Sequence, residues 1–369
     1  MRSLIDLSRD DLVGLLAEWG YPAYRARQIH GWIFGQYVEA SEQMTNLPEP
    51  LRRQLAEWGS VWPLEIADSR LSRSGDTLKV LFRLADGATI EAVLMLYDRR
   101  RTLCISSQAG CAMGCTFCAT GLDGLTRNLT AGEIVGQVLA LSRQLAQRRD
   151  LATDRARANG SRVTNVVFMG MGEPLHNYGP VRDAIGVLTS PEAYGLGARN
   201  LTVSTIGVVP AMRRLALEGL QLRLAVSLHA PHDHLRIQLV PPGKRWPIRD
   251  IMAAADEYVE RTGRRVTYEY VMLDGVNDTL ELGRQLGRVL RGRHCHVNLI
   301  PFNPIPGQPY RPTPDGRIRA FAKQVEASGV PVSVRVRRGV EMDAGCGQLS
   351  TRFKLESASV MLQADGEAP

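Results

Sequence analysis

"TLCISSQAGCAMGCTFC", residues 102–118, begins as a short β-forming run and ends in a loop with three cysteines at C-x3-C-x2-C. A strand that delivers such a loop is half of a βα unit, and the other half follows. "TAGEIVGQVLALSRQL" (130–145) opens with Thr130 and Glu133 spaced as a capping box ahead of an apolar helical run. The alternation then repeats. "TNVVFM" (164–169), "NLTVST" (200–205), "LRLAVSL" (222–228), "VTYEYVML" (266–273) and "CHVNLIPF" (295–302) each read as a strand, with helical stretches between them. Six βα units in succession imply an α/β fold with a parallel sheet and helices outside it. The sheet can be an open doubly wound layer or a complete or partial barrel, and in either case ligands sit at the carboxyl ends of the strands. The unusual residues all fall there. After the cysteine loop come "GMGEP" (170–174), "STIG" (204–207), "SLHAP" (227–231), "DGVND" (274–278) and "PFNPIPG" (301–307), so the loops converge on one rim.

Upstream of the array the pattern changes. "SRDDLVGLLAEWG" (8–20) pairs Ser8 with Asp11 as a capping box and repeats apolar residues at helical spacing, which predicts a helix ending at Gly20. A second helix is expected over about 22–38, and a third over about 48–58 after Pro48. Residues 1–60 read as a small helical module, either a packing appendage or a basic RNA-contacting domain. "DTLKVLFRLADGATIEAVLMLY" (76–97) alternates and carries an Asp-Gly turn, so 61–98 is expected to be a β-hairpin linker. The βα array occupies 99–350, and 351–369 remain as a tail. "RQLAQRRDLATDRARANGSR" (143–162) is a charge run that reads as a solvated helix end and loop.

With 369 residues and 44% hydrophobic content, the chain can bury a large core. No run of 18 apolar residues occurs, and acids interrupt the N-terminal "MRSLIDLSRDDLVGLL". The expectation is therefore a cytoplasmic protein with neither signal peptide nor membrane span. Thiols stay reduced in that compartment, so six cysteines with three clustered point to metal or catalytic groups. The net charge of +7 is compatible with a polyanionic partner without requiring one. Structural zinc normally takes four ligands, often as two C-x2-C pairs, whereas Cys111, Cys115 and Cys118 have no spaced fourth partner. A 4Fe-4S cluster on three cysteines keeps one iron free.

C-x3-C-x2-C after the first strand of a βα array resembles the radical S-adenosylmethionine (SAM) enzymes, and "GMGEP" resembles the loop that holds the methionyl amino group of SAM. Within that superfamily, "CISSQAGCAMGCTFC", "VFMGMGEPLHN", "SLHAP", "HVNLIPFNPIPG" and "DAGCGQLS" together resemble the dual-specificity adenine-C2 methyltransferases of 23S rRNA and tRNA, over nearly the whole chain. The local departures are the charged 143–162 stretch and Ile206 in "STIG". The resemblance implies a partial (β/α)6 radical SAM barrel with an N-terminal helical domain and a hairpin linker. It implies a 4Fe-4S cluster on Cys111, Cys115 and Cys118 and two SAM molecules per turnover. Gly172, Glu173, Pro174, Ser204, Ser227, Leu228, His229 and Asn303 would form the SAM site. The implied partners are 23S rRNA, tRNA and an electron donor such as flavodoxin or ferredoxin, for a monomer with no membrane contact.

By the same resemblance Cys346, between two glycines in "DAGCGQLS", accepts a methyl group from one SAM. A second SAM yields a 5′-deoxyadenosyl radical that takes a hydrogen from that methyl, and the methylene radical adds to adenine carbon 2. Cys104 would then release the product by forming a disulfide with Cys346, although a small buried hydrophobe is the commoner fate of such a cysteine. Glu91 matches the family's acidic residue before the cluster and would accept the carbon-2 proton, a role open to Cys104 as well; otherwise it is a solvent-facing carboxylate on an alternating strand. Cys295, at the start of a buried strand, reads as structural. The alternatives are a glycyl-radical activase, which leaves Cys104 and Cys346 unexplained, a non-catalytic RNA-binding module, and a relative that methylates carbon 8 of the same rRNA adenosine.

Overall fold

The Ser8 hydroxyl accepts the Asp11 N–H and the Asp11 carboxylate accepts the Ser8 N–H, so α1 (Arg9–Glu18) begins at the expected capping box. The structure is a computed structural model and describes residues 2–148, 162–336, 342 and 344–349; most of the charged 143–162 stretch and the 351–369 tail lie outside the described residues. The second helix is divided: α2 (Tyr24–His30) widens into a π-type turn over Gly31–Gln36 and stops at Tyr37, whose φ is 55°. α3 (Glu49–Trp58) follows Pro48. Leu12, Leu16, Ile29, Ile33, Leu51 and Leu55 form the core of these helices.

A ten-stranded sheet organises the rest, in the order β1-β2-β3-β4-β7-β8-β9-β10-β11-β12. Its first half is antiparallel: β1 (Leu64–Leu71), β2 (Thr77–Leu84), β3 (Thr89–Leu96) and β4 (Arg101–Cys104). The hairpin expected from the sequence is β2–β3, turning at Gly87 with φ 82°. It is preceded by β1, whose polar "LEIADSRL" suits a sheet edge and does not alternate cleanly. β3 then pairs with β4, so 64–96 extends the main sheet.

A short ribbon of β5 (Gln108–Gly110) and β6 (Leu125–Asn128) frames α4 (Ala119–Leu122). The parallel half then runs as strand and helix in turn. It comprises α5 (Ala131–Gln147), β7 (Asn165–Phe168), α6 (Tyr178–Thr189), β8 (Leu201–Thr205) and α7 (Val209–Leu217). Next come β9 (Arg223–Ser227), α8 (Asp233–Leu239), α9 (Ile248–Thr262), β10 (Val266–Met272) and α10 (Leu280–Leu290). The chain closes with β11 (Cys295–Pro301), α11 (Asp315–Glu326) and β12 (Val332–Val334). The six strands expected of the βα array are all present, and from β4 to β11 each is parallel to the next. Among the described residues no helix is long and apolar enough to cross a membrane.

Register decides which side chains meet, because paired residues share a face. Cys104 pairs with Val93 and Val167, and the same face carries Ser204, Ser227 and Glu269. Glu91, two residues before Val93, lies on it too. The N-terminal helices are joined to this scaffold by Asp6, whose Oδ1 accepts the Gly132 N–H at 2.7 Å in the first turn of α5.

Candidate active site

The cysteine loop is a closed loop. Gly110 (φ 76°) stands so near Gly124 that a Cβ there would lie 2.0 Å from the Gly124 carbonyl oxygen, and the Cys111 N–H donates to that oxygen at 2.7 Å. Cys111 and Cys115 are buried and Cys118 is half-buried. Burial, reinforced by the other thiols, pushes Cys111 up to about 12 and Cys115 well above its ordinary value; burial also raises Cys118. Three thiols held this way need bound cations to become thiolates. Among the described residues no three His, Cys, Asp or Glu side chains converge as a site for a single metal ion. Three cysteines on one loop can each supply a thiolate to a different iron of a polynuclear cluster.

"GMGEP" lies flat against the strand that feeds this loop. The Ser107 and Gln108 N–H groups donate to the Met171 carbonyl oxygen, and the Gln108 Oε1 accepts the Glu173 N–H at 2.8 Å. A Cβ on Gly172 (φ 101°) would strike Gln108 Cβ at 2.6 Å. Glu173 is turned inward, accepting the Leu175 N–H at 3.0 Å and the Ile206 N–H at 2.8 Å. Among the described residues no cation pairs with it, and burial pushes its carboxyl up to about 7.

Cys111, Cys115, Cys118, Gly172, Glu173 and Pro174 line one cavity, together with Ser204, Ser227 and His229. His229 (φ 60°) accepts the Val271 N–H at Nδ1, 3.0 Å away, which leaves Nε2 as the protonated nitrogen. Burial, with help from Arg236, drives it down to about 3, so it is a neutral donor. Leu228 is fully buried and absent from the cavity lining; its N–H donates to the Glu269 carbonyl oxygen, a core position.

Cys346 reaches the same cavity from the far end of the chain. Its loop is fastened on two sides: Gly347 O accepts the Ala119 N–H at 2.7 Å, and Thr120 Oγ1 donates to Leu349 O at 2.6 Å. Asn303 Nδ2 reaches Cys346 O at 3.4 Å, and only a glycine fits at 345, where a Cβ would be 2.3 Å from that Nδ2. Asn303 itself lines an adjoining cavity, of which Cys346 is also a wall.

Cys104 and Cys346 are both free thiols. Cys104 is buried and outside the cavity lining; burial first and Cys346 second push it up to about 12, while Arg335 pulls it back. Glu91 is also outside that lining and fully buried. It is no solvent-facing carboxylate: Lys79 Nζ lies 2.9 Å from its Oε1, and its backbone oxygen accepts Ser106 Oγ–H at 2.6 Å. Cys295 sits at the opposite end of β11, its Sγ 3.9 Å from Leu290 O.

Sequence reasoning passed over two charged cavity residues. Glu269 accepts Asn298 Nδ2 at 2.7 Å and is raised by burial. Arg335 lines both cavities, and Cys346 holds its guanidinium above its ordinary value against burial. The signal for Glu269 was a lone acid inside the apolar run "VTYEYVML"; Arg335 was hidden among the other arginines of "VRVRR".

Comparison with known proteins agrees with this geometry. The radical SAM superfamily matches residues 105–281, and a ribosomal RNA large subunit methyltransferase N-terminal domain matches 2–61. A probable dual-specificity RNA methyltransferase RlmN of Symbiobacterium thermophilum is 46% identical over 348 residues, covering 94% of this chain and 90% of its own. One from Frankia alni is 49% identical over 355 residues, covering 95% and 83%. A radical SAM methyltransferase of known structure from Sphaerobacter thermophilus superposes with a TM-score of 0.89 at 48% identity, over 95% of this chain and 99% of that one.

Proposed function

The chain belongs to the radical SAM dual-specificity RNA methyltransferases of the RlmN family, and from that premise we propose that it methylates carbon 2 of an adenosine in 23S rRNA and of the adenosine 3′ of the anticodon in tRNAs. Superfamily membership implies a 4Fe-4S cluster and SAM. Cys111, Cys115 and Cys118 hold the cluster, while Glu173 offers its uncompensated carboxylate to the SAM ammonium group. Gly172 and Pro174 shape that contact, and Ser204, Ser227, His229 and Asn303 serve the remaining polar edges, with Leu228 supporting them from the core. When bound, the cluster supplies the electron that cleaves SAM to a 5′-deoxyadenosyl radical.

The observation that carries the reading is that Cys346 shares one cavity with the three clustered cysteines, its loop hydrogen-bonded to α4 just after Cys118. Cys346 accepts a methyl group from one SAM, the second SAM of the turnover being the radical source. A hydrogen atom of that methyl group would pass to the 5′-deoxyadenosyl radical, the carbon left on the Cys346 sulfur would bond to adenine carbon 2 and join enzyme to RNA, and the electron left over when carbon 2 loses its proton would return to the cluster that gave one up. Glu91, held by Lys79, takes the carbon-2 proton. Cys104 attacks the Cys346 sulfur, the bond from that sulfur to the methylene carbon breaks, and the released carbon takes a proton to become the methyl group, leaving a disulfide that a reductant must open.

Residues 1–60 act as an RNA-contacting accessory domain beside the 99–350 core, with 61–98 between them and 351–369 as a tail. The protein works as a cytoplasmic monomer supplied with electrons by a flavodoxin or ferredoxin. Recognition depends on phosphate contacts and a flipped base, so RNA affinity should fall steeply with salt. Mass analysis of nucleosides from treated rRNA and tRNA tests the reading: 2-methyladenosine in both is expected, and 8-methyladenosine contradicts it.

A further inference from the structure

Arg236, in the middle of α8, is fully buried, a state in which a guanidinium normally has a carboxylate partner. Here it has none among the ion pairs of the described residues. Nη2 donates to the Ile206 carbonyl oxygen and Nη1 to Trp246 O at 3.3 Å, while Nε is buried without an acceptor. The adjoining acid, Asp233, has turned its Oδ1 to the Ile248 N–H at 2.8 Å. Room for the guanidinium is kept by Gly243, where a Cβ would stand 2.9 Å from Nη1.

The same helix is fastened to the cysteine loop. The Thr116 N–H, next to Cys115, donates to Leu239 O at 3.1 Å. Cys115 is the strongest opposite charge acting on Arg236, ahead of Asp233, and Arg236 in turn favours the Cys115 thiolate. Burial lowers the guanidinium only to about 10, so it is charged at neutral pH. A 4Fe-4S core held by three thiolates is net negative, and more so after it takes an electron. That is a counter-charge that no ion pair among the described residues supplies.

We propose that Arg236 is a positioning residue for the cluster: a built-in cation behind Cys115 that stabilises the reduced, more negative state. The chain therefore sets part of the reduction potential by one of the levers that tune iron–sulfur centres, the charge and hydrogen bonding around the sulfurs. The inference rests on the reading that Cys111, Cys115 and Cys118 hold a cluster.

The test is a potentiometric titration of anaerobically reconstituted protein without SAM, followed by electron paramagnetic resonance. At a fixed potential, Arg236→Gln should lower the ratio of reduced to oxidised cluster about tenfold, equivalent to about 59 mV for one electron. Arg236→Lys, which loses the two-pronged carbonyl contact but keeps the charge, should recover most of that ratio. If Arg236→Gln does not fold, Asp233→Asn carries the test: it keeps the Oδ1 acceptor, removes a neighbouring negative charge and should raise the ratio. An unchanged potential in Arg236→Gln or Asp233→Asn, or equal shifts in the Gln and Lys variants, overturns the proposal. Failure of the wild-type protein to assemble any cluster overturns the cluster reading instead, and the two failures are distinguishable by iron content.

Discussion

Glu173 and Glu91 are both buried carboxylates on one ten-stranded sheet, Glu173 beside its parallel half and Glu91 within its antiparallel half. Glu173 is held by the Leu175 and Ile206 N–H groups and the Thr205 hydroxyl, all neutral donors, and burial pushes it up to about 7. Glu91 has Lys79 at 2.9 Å, both side chains nearly inaccessible. The difference separates a region that is incomplete without a ligand from one that supplies its own counter-charge. The parallel half gathers acceptors and thiols around a cavity with Arg335 in its wall, and leaves Glu173 to a bound cation. The antiparallel half presents a finished ion pair next to Cys104.

The most severe way to break this contrast is to remove what the parallel half is built to bind. Cys115→Ala should lose all visible iron–sulfur absorbance and all SAM cleavage while the metal-free protein keeps the wild-type far-ultraviolet spectrum. Retention of a full cluster would contradict the ligand set. In the antiparallel half the loss should appear as stability. Lys79→Met leaves Glu91 buried and unpaired and should cost about 3–5 kcal/mol in urea unfolding of the metal-free protein. Lys79→Met with Glu91→Gln should recover much of it, and equal losses in the single and double variants would remove the ion pair from the account.

The smallest effect sharpens the comparison through pH. The Glu173 carboxyl rises in the folded state from 4.5 to about 7, so between those values the folded protein holds a proton that the unfolded chain has released. The stability of the metal-free protein should therefore fall as pH rises through that window, by up to about 1.4 kcal/mol per pH unit from this one group. Glu173→Gln should remove that part of the slope, so its stability relative to wild type improves from pH 4.5 to 7. Parallel stability–pH curves for the two proteins would contradict the assignment.

How legible each half was follows from where its information lies. The parallel half repeats a local pattern, strand then punctuated loop then capped helix, so every expected strand from "TLCISS" to "CHVNLIPF" is found in place. The cysteine loop and "GMGEP" were readable because glycines mark contacts as close as those at Gly110 and Gly172. The antiparallel half was legible only as a hairpin, since β1 is an edge strand without alternation. The Lys79–Glu91 pair joins residues on neighbouring strands, a distance no local pattern encodes. Arg236 and Arg335 were invisible for another reason: an arginine's sequence neighbours do not reveal whether its charge is solvated or buried against thiols. The large loop closure that brings Cys346 beside Cys118 came from resemblance alone, and the hydrogen bonds at Gly347 and Leu349 now give it a physical basis.

The central claim is that Cys346 carries the methyl group into the RNA bond and that Cys104, at the junction of the two halves, breaks that bond. Incubating Cys104→Ala and Cys346→Ala enzymes with SAM, reductant and tRNA and resolving the products on a denaturing gel tests both parts. The account predicts a nuclease-sensitive protein–RNA band of lower mobility with Cys104→Ala and none with Cys346→Ala. Normal turnover by Cys104→Ala, or an adduct with Cys346→Ala, would contradict it.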